Sequence, residues 1–260
     1  MQPIASIIIP ARNEEALIGQ VLDAALRSVA DWRGWPGPLP YLAGSGAEIM
    51  VVDNASTDGT ARVVEAYADR HGVRLLNCAG LRAPVARNHG AAHAHGRILL
   101  FVDADTLLPP TAIGHIVSLI DQHGYEAGVT RLASLEGGLK ARLWWEYWGL
   151  MRHLPLARAK AMPACMFCTR AVFQEFGPFD ETVRIGEEWP ILGGLYRTRP
   201  QRFIYDRTIT ARSSNRRMAL QPFGYVRTFW RYVWAVLHAS GRDTYSDHIR
   251  SGRHSSAEGG

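Results

Sequence analysis

Arg97-Ile98-Leu99-Leu100-Phe101-Val102-Asp103-Ala104-Asp105 runs five consecutive apolar residues into a pair of carboxylates. A short unbroken apolar run is the pattern of a strand covered on both faces, as in a parallel sheet flanked by helices. Carboxylates are costly to bury unpaired, so the two acids mark where the strand leaves the core. In an open α/β sheet, the carboxyl ends of the strands form the edge where ligands bind. Acids spaced i, i+2 at such an exit can both turn toward one divalent cation. Mg2+ accepts this sparse oxygen ligation when phosphate and water complete it. The segment therefore reads either as a metal–diphosphate site or as a solvated turn.

Outward from this strand the first half of the chain alternates. Strand patterns at 4–9, 48–53 and 73–77 interleave with helical patterns at 14–29, 57–70 and 83–95, and a further helix is expected over 110–123. This β-α-β-α order predicts an α/β fold with a doubly wound, mostly parallel sheet. Residues 32–46 hold four Gly and three Pro and read as a surface loop. The second half is less regular. It offers a strand at 125–132, a helix at 139–154 carrying Trp144, Trp145, Tyr147 and Trp148, and a strand at 163–169 followed by a short helix to 176. After the turn Gly177-Pro178-Phe179-Asp180, Pro190 places a helix start near Trp189, and strand residues follow at 203–209. Residues 222–239 form an amphipathic, aromatic and basic helix pattern.

The 260 residues are 47% hydrophobic, enough for one large α/β domain or two small ones. The formal charge is +5, and of 29 basic residues only Lys140 and Lys160 are lysines. From Arg197 onward 12 Arg face four acids. The planar fork of Arg suits phosphate and carboxylate groups. A nucleotide, a phospholipid surface, a nucleic acid or a solvated face would each account for that excess. Three cysteines argue against a disulfide framework and for a reducing compartment. Cys165 and Cys168, in an apolar segment, read as buried structural thiols. No basic leader precedes the first strand pattern, and no apolar run reaches the ~20 residues that span a bilayer. A cytoplasmic protein is expected, with peripheral contact at the inner face of the membrane.

Polar residues gather at three strand ends: Pro10-Ala11-Arg12-Asn13-Glu14, Asp53-Asn54-Ala55-Ser56-Thr57-Asp58-Gly59-Thr60 and Asp103-Ala104-Asp105-Thr106. Parallel strands bring these ends to one edge, where a nucleotide can be read piecewise. Asp53 can accept a hydrogen bond from a base imide N–H. The backbone near Ala11 and the carboxylate of Glu14 can meet base or ribose. Ser56 or Thr57 can instead cap the following helix, and Asp58 can complement its N-terminus.

Residues 7–15, Val51-Val52-Asp53-Asn54-Ala55-Ser56-Thr57-Asp58-Gly59-Thr60, Ala86-Arg87-Asn88-His89-Gly90-Ala91, Phe101-Val102-Asp103-Ala104-Asp105, and Gly177-Pro178-Phe179-Asp180-Glu181 with Gly186-Glu187-Glu188 occur in that order. Together they resemble the family 2 glycosyltransferases of the GT-A fold, over residues 4–217. The resemblance implies a single GT-A sheet whose acceptor-side second half is less regular. It also implies a glycosyltransferase, expected to be a hexosyltransferase, that transfers a sugar with inversion from a UDP- or GDP-linked donor to a hydroxyl acceptor, with Mn2+ or Mg2+ as cofactor. Carried over, Pro10, Ala11, Arg12 and Glu14 line the nucleoside and Asp53 binds the base. Asp103 lies toward ribose and metal, Asp105 is the direct metal ligand, and Arg87 lies near the diphosphate, or else forms a salt bridge on a helix surface. Glu187 and Glu188 occupy the place of the family's Glu-Asp pair, whose second acid is the general base. That points to Glu188 first and Glu187 second, against a plain reading as an acidic helix start. Ser213-Ser214-Asn215-Arg216-Arg217 is similar to a Ser-x-Arg-Arg stretch of some relatives, in which an Arg can neutralise the leaving diphosphate.

The domain plan that follows is a GT-A unit at 1–218, divided into a nucleotide-binding half, 1–106, and an acceptor half, 107–218. A C-terminal amphipathic aromatic and basic helix, 219–250, which covers the sheet with its aromatics in the core, lies on a membrane or packs against a second copy, and a disordered tail, 251–260, complete it. The expected partners are the nucleotide sugar, a glycan, lipid-linked or small-molecule acceptor, a membrane surface touched by the C-terminal helix, and a second copy as homodimer; no nucleic acid is expected. Three other classes compete. Residues 100–107 also resemble the first motif of haloacid-dehalogenase-type phosphatases, with Asp103 as nucleophile, but Lys140 and Lys160 fit that class poorly. A sugar-nucleotide pyrophosphorylase would need a Gly-rich loop in place of Pro10-Ala11-Arg12-Asn13-Glu14. A non-catalytic nucleotide-sugar-binding module would have lost the acids.

Overall fold

The structure is a computed structural model that describes residues 3–34, 42, 46–80, 82–154, 164–183, 185–216 and 223–238. In chain order the elements are β1 (Ala5–Ala11), α1 (Ile18–Trp32), β2 (Ala47–Asp53), α2 (Thr60–His71), β3 (Arg74–Asn77), α3 (Ala83–His93), β4 (Ile98–Val102) and β5 (Thr106–Leu107). They continue with α4 (Ala112–Asp121), β6 (Ala127–Ser134), α5 (Leu139–Met151), β7 (Cys165–Thr169), α6 (Arg170–Phe176), α7 (Trp189–Thr198), β8 (Phe203–Ser213) and α8 (Gly224–His238). The chain divides into two compact units, Met1–Arg216 and Arg217–Gly260, with α8 alone of these elements in the second. Among the described residues no helix is long and apolar enough to cross a membrane. The expected tail, 251–260, and Arg217 lie outside the described residues, as do 35–41 and 43–45 of the Gly/Pro-rich loop.

The strands form one sheet in the order β3-β2-β1-β4-β7-β6-β8-β5. The first four are parallel, as the alternating sequence predicts. β4 is fully buried, and its residues divide between two cores. Ile98, Leu100 and Val102 join Ile7, Ile9 and Val51 on one face, packed by α1 and α4. Leu99 and Phe101 join Ile8, Met50 and Val52 on the other, with side chains from α3, α6 and α7. The unbroken apolar run thus reports two covered faces. The small residues of α3 let it lie close to the sheet: a Cβ on Gly90 would come within 2.4 Å of Ile8 Cγ2.

The second half departs from simple winding. β7 enters antiparallel between β4 and β6, and the two-residue β5 pairs antiparallel with β8. β8 runs on to Ser213, beyond the 209 expected. Asp206 accepts the amides of Thr208 and Ile209 at 3.2 and 3.1 Å, so 207–209 form a bulge and pairing with β6 resumes at Thr210. Cys165 and Cys168 face opposite cores of β7, and burial pushes both thiols up to about 12. They are structural, as their apolar setting suggests.

Two helix starts come later than the periodicity indicates. Helix α1 begins at Ile18 rather than 14, because the amides of Leu17 and Ile18 both turn back to the Glu14 carbonyl. Helix α2 begins at Thr60 rather than 57, because residues 56–59 are engaged elsewhere. At its other end, α5 stops at Met151 rather than 154.

Candidate active site

Parallel pairing sets Ala11 beside Asp53 at the ends of β1 and β2, and Ile8 beside Phe101, two residues short of Pro10 and Asp103. The loops leaving β1 and β2 are laced together. Asn13 N donates to Ser56 Oγ at 3.0 Å, and Thr57 N donates to Asn13 Oδ1 at 2.8 Å. Glu14 N donates to Thr60 Oγ1 at 2.8 Å, and Glu15 N to Asp58 Oδ2 at 3.2 Å. Ser56 and Thr57 are therefore not caps of α2, whose N-cap, Gly59, has no side-chain cap bond. Asp58 does serve the first turn, accepting Thr60 N at 3.0 Å. The lacing holds Asn13 and Ala55 at positive φ, near 55° each.

This frame buries Glu14 and Asp53 and leaves Arg12 exposed. Asp53 Oδ2 accepts Ser56 N at 3.3 Å, while Oδ1 is buried with no protein partner. A buried acceptor left unpaired is expensive and marks a place where a ligand donor repays the cost. Glu14 is held by the guanidinium of Arg216, from the segment just after β8.

Across the edge, Arg87 ties two sites together. Its guanidinium, buried in the middle of α3, donates from Nη2 to Asp103 Oδ1 at 2.6 Å and from Nη1 to Glu187 Oε1 at 3.0 Å. It also lies 5.6 Å from the ring centre of Phe179. Burial alone would lower its affinity for a proton, but Asp103 and Glu187 more than compensate and hold it charged. Arg87 is thus no surface ion pair; it is an internal brace between the strand-end acids and the acidic pair before α7.

The turn that brings that acidic pair into place is anchored in the core. Phe179 packs edge-on against Phe101, centroids 4.8 Å apart. Asn88 clamps the turn from α3, accepting Phe179 N at 2.9 Å and donating to the Phe179 carbonyl at 3.0 Å. Asp180 N donates to the Glu187 carbonyl at 2.9 Å and closes the loop. Gly186 sits at φ +84, and a Cβ there would come within 2.3 Å of the Trp189 ring. Glu188 is then the residue just before the first turn of α7, 3% exposed, with Oε2 unpartnered. Burial, and after it the charge of Glu187, raises its carboxyl to about 8.

Asp105 is half-buried, and its backbone carbonyl accepts Ser214 N at 3.0 Å. The β5–β8 pairing, Thr106 with Ser213, brings this later segment beside the strand-end acids. Glu136 secures it, accepting Ser214 Oγ and, at 2.9 Å, Asn215 N. Trp145 Nε1 donates to Asn215 Oδ1 at 3.0 Å. Glu136, Asn88 and Asn215 are the supporting residues that motif reading misses. Asn88 and Asn215 stand inside quoted motifs, while Glu136, in a Gly-rich turn, gives no sequence signal. An open pocket of about 480 Å³ lies next to this group, lined in part by Leu132, Ser134, Gly138, Leu139, Arg142 and Trp145.

The family model described as Glycosyl transferase family 2 matches residues 6–181, from β1 through the Phe179 turn. The chain belongs to that family. Membership sets aside the phosphatase and pyrophosphorylase readings of Asp103-Ala104-Asp105. Among curated family 2 relatives, validoxylamine A glucosyltransferase of Streptomyces hygroscopicus subsp. limoneus is 30% identical over 118 residues, 45% of this chain and 23% of that protein. The chain spans about a fifth to a quarter of the length of the first curated relatives it matches. A mannosyltransferase of Pyrobaculum calidifontis, solved with GDP-Man and Mn2+, superposes with a TM-score of 0.58 at 21% identity, over 82% of this chain and 57% of that one. The glucosyl-3-phosphoglycerate synthase of Mycobacterium tuberculosis, solved with Mn2+, UDP-glucose and phosphoglyceric acid, gives 0.60 at 20% identity over 92% and 79%. These structural likenesses carry the GT-A fold of the family 2 chain.

Proposed function

We propose that this family 2 chain transfers a sugar, with inversion, from a UDP- or GDP-linked donor to a hydroxyl acceptor, using Mn2+ or Mg2+ and Glu188 as general base. The observation that carries the reading is Glu188 itself: a buried carboxyl, raised to about 8, with an unpartnered oxygen, in the cluster of Arg87, Asp103 and Glu187. A carboxyl whose proton affinity is tuned near neutral pH and that keeps a free acceptor oxygen is what abstraction of a hydroxyl proton requires.

Asp53 Oδ1 accepts the base N–H, and Pro10, Ala11, Arg12 and Glu14 frame the nucleoside. Asp105 and Asp103 offer hard oxygen donors that fit Mn2+ or Mg2+. No cluster of three metal-binding side chains forms among the described residues, so the diphosphate and water would have to complete the ligand set. Such a cation, held by Asp105 and Asp103, would neutralise charge on the leaving diphosphate. Arg216, now paired with Glu14, is a further positive group for that charge. The acceptor hydroxyl passes its proton to Glu188 as its oxygen bonds the anomeric carbon and the carbon–diphosphate oxygen bond breaks. Glu188 carries one methylene more than the family's usual Asp. Arg87 holds Glu187 in place through the 3.0 Å ion pair, and the Glu187 charge in turn strengthens the hold of Glu188 on a proton.

The acceptor, a glycan, a lipid-linked sugar or a small molecule, enters by the pocket beside Trp145, two hydrogen-bonded steps from Asp105. Of the tryptophans of α5 Trp145 lines that pocket; Trp144 and Trp148 pack edge-to-face on each other at 5.6 Å and are not among its lining residues. Calorimetry of UDP and GDP with Mn2+ tests the donor site: Asp105→Ala should abolish most of the metal-dependent affinity, and unchanged binding would refute the assignment.

A further inference from the structure

The outer face of α5 breaks the rule that apolar stripes turn inward. Leu139, Leu143, Tyr147, Leu150 and, just past the helix end, Leu154 recur at steps of four, four, three and four, which is one helical face. They are 72, 60, 37, 64 and 40% exposed. The opposite face is committed to the fold, with Ala141 buried and Trp145 bonded to Asn215. Single exposed leucines are ordinary, but a contiguous stripe marks a surface that something covers.

Charge indicates what covers it. On α5 Lys140 and Arg142 are exposed cations against the single acid Glu146. Glu146 is itself paired with Arg131 at 2.5 Å. The same helix carries Trp144, Tyr147 and Trp148, side chains that suit a headgroup layer. A second copy of this face would bring cations against cations, whereas anionic headgroups would neutralise them. In the other unit α8 independently repeats the composition, with Phe223, Val226 and Trp230 exposed and Arg227 exposed beside them. A helix of 13 residues is about 20 Å long, too short to cross a bilayer of ~30 Å but suited to lying in its surface.

We propose that the leucine stripe of α5 docks the protein on an anionic lipid bilayer. The surface lies on the catalytic unit itself and on the helix that lines the pocket, whereas the sequence placed membrane contact only at the C-terminal helix. Granting the catalytic reading above, a lipid-linked acceptor would then reach the pocket from the surface to which the enzyme is bound.

Co-sedimentation of the full chain with phosphatidylcholine vesicles, with and without phosphatidylglycerol, tests docking without reference to transfer. The wild type should pellet with anionic vesicles at low salt, and high salt should release part of it. Leu143→Glu with Leu150→Glu should weaken this binding by about tenfold or more and keep Mn2+-dependent UDP or GDP binding. Lys140→Glu, a milder change at an exposed position, should weaken anionic binding several-fold and serves if the double variant does not fold. Wild-type protein that stays in the supernatant overturns the proposal. So does full binding by both variants, loss of binding by Trp230→Glu alone, or a wild-type dimer that L143E/L150E dissociates and that ignores vesicles.

Discussion

The two acidic pairs of this protein share one guanidinium and live in opposite surroundings. Asp103 and Asp105 stand where a strand runs out of the core, the Asp103 side chain 32% exposed. Glu187 and Glu188 precede a helix, the side chain of the first 12% exposed and the second residue 3%. Arg87 touches one member of each pair, Asp103 and Glu187. Carboxylate oxygens that solvent can reach are open to a hard cation. Enclosure raises the proton affinity of a carboxyl, so that its ionised form is the stronger base. The comparison teaches that depth separates the two pairs, which one buried guanidinium joins, and under the proposed function it would fit each to a different task.

Replacing the enclosed carboxyl, the proposed base, is the severest way to break the contrast. Glu188→Gln should lower turnover by about 10²–10⁴ while donor affinity stays within a few-fold, since the lost interaction belongs to the transition state. An active variant in steady-state assays would move the role to Glu187. Next in size is removal of the brace. Arg87→Ala leaves two carboxylates beside an empty space and should cost about 3–5 kcal/mol of stability. Urea denaturation reads this directly, and a loss below about 1 kcal/mol would mean that the pairs do not depend on their shared guanidinium.

A pH series sharpens the comparison more gently. With Glu188 raised to about 8, kcat/KM should climb roughly tenfold per unit below that value and level above it. A flat profile between pH 6 and 9 would contradict the base assignment. The sign for stability is opposite. The folded chain holds this proton more tightly than the unfolded one, so the contribution is full below the ordinary carboxyl range and is lost as pH rises through about 8. Glu188→Gln should remove that loss. The smallest effect belongs to the acceptor wall. Trp145→Phe deletes the 3.0 Å bond to Asn215 and should raise the acceptor KM a few-fold with the donor KM unchanged; the reverse pattern would place the pocket elsewhere.

Much of the first half was legible because parallel strands write their burial directly into sequence. The run 98–102 is apolar throughout since both faces are covered, and the first acid after it, Asp103, marks the chain's exit toward the ligand edge. Ser56 and Thr57 were misread as caps because a hydroxyl before a helix looks the same whether it serves that helix or a loop 43–44 residues away. Strand β7 hid its antiparallel direction, since a short apolar run carries no sense of polarity. β5 was too short to leave a pattern, yet its pairing is what carries Ser214 to Asp105.

The sequence alone determined the α/β class, the family and the chemical identity of the acids, because periodicity and local motif order are properties of neighbours along the chain. Only the tertiary structure decided that Arg87 lies inside rather than on a helix surface, that Glu136 anchors Asn215, and that the leucines of α5 face outward. Those facts depend on contacts between residues as much as 100 positions apart, as for Arg87 and Glu187. Depth, which raises the proton affinity of Glu188, exists only once those distant segments have met.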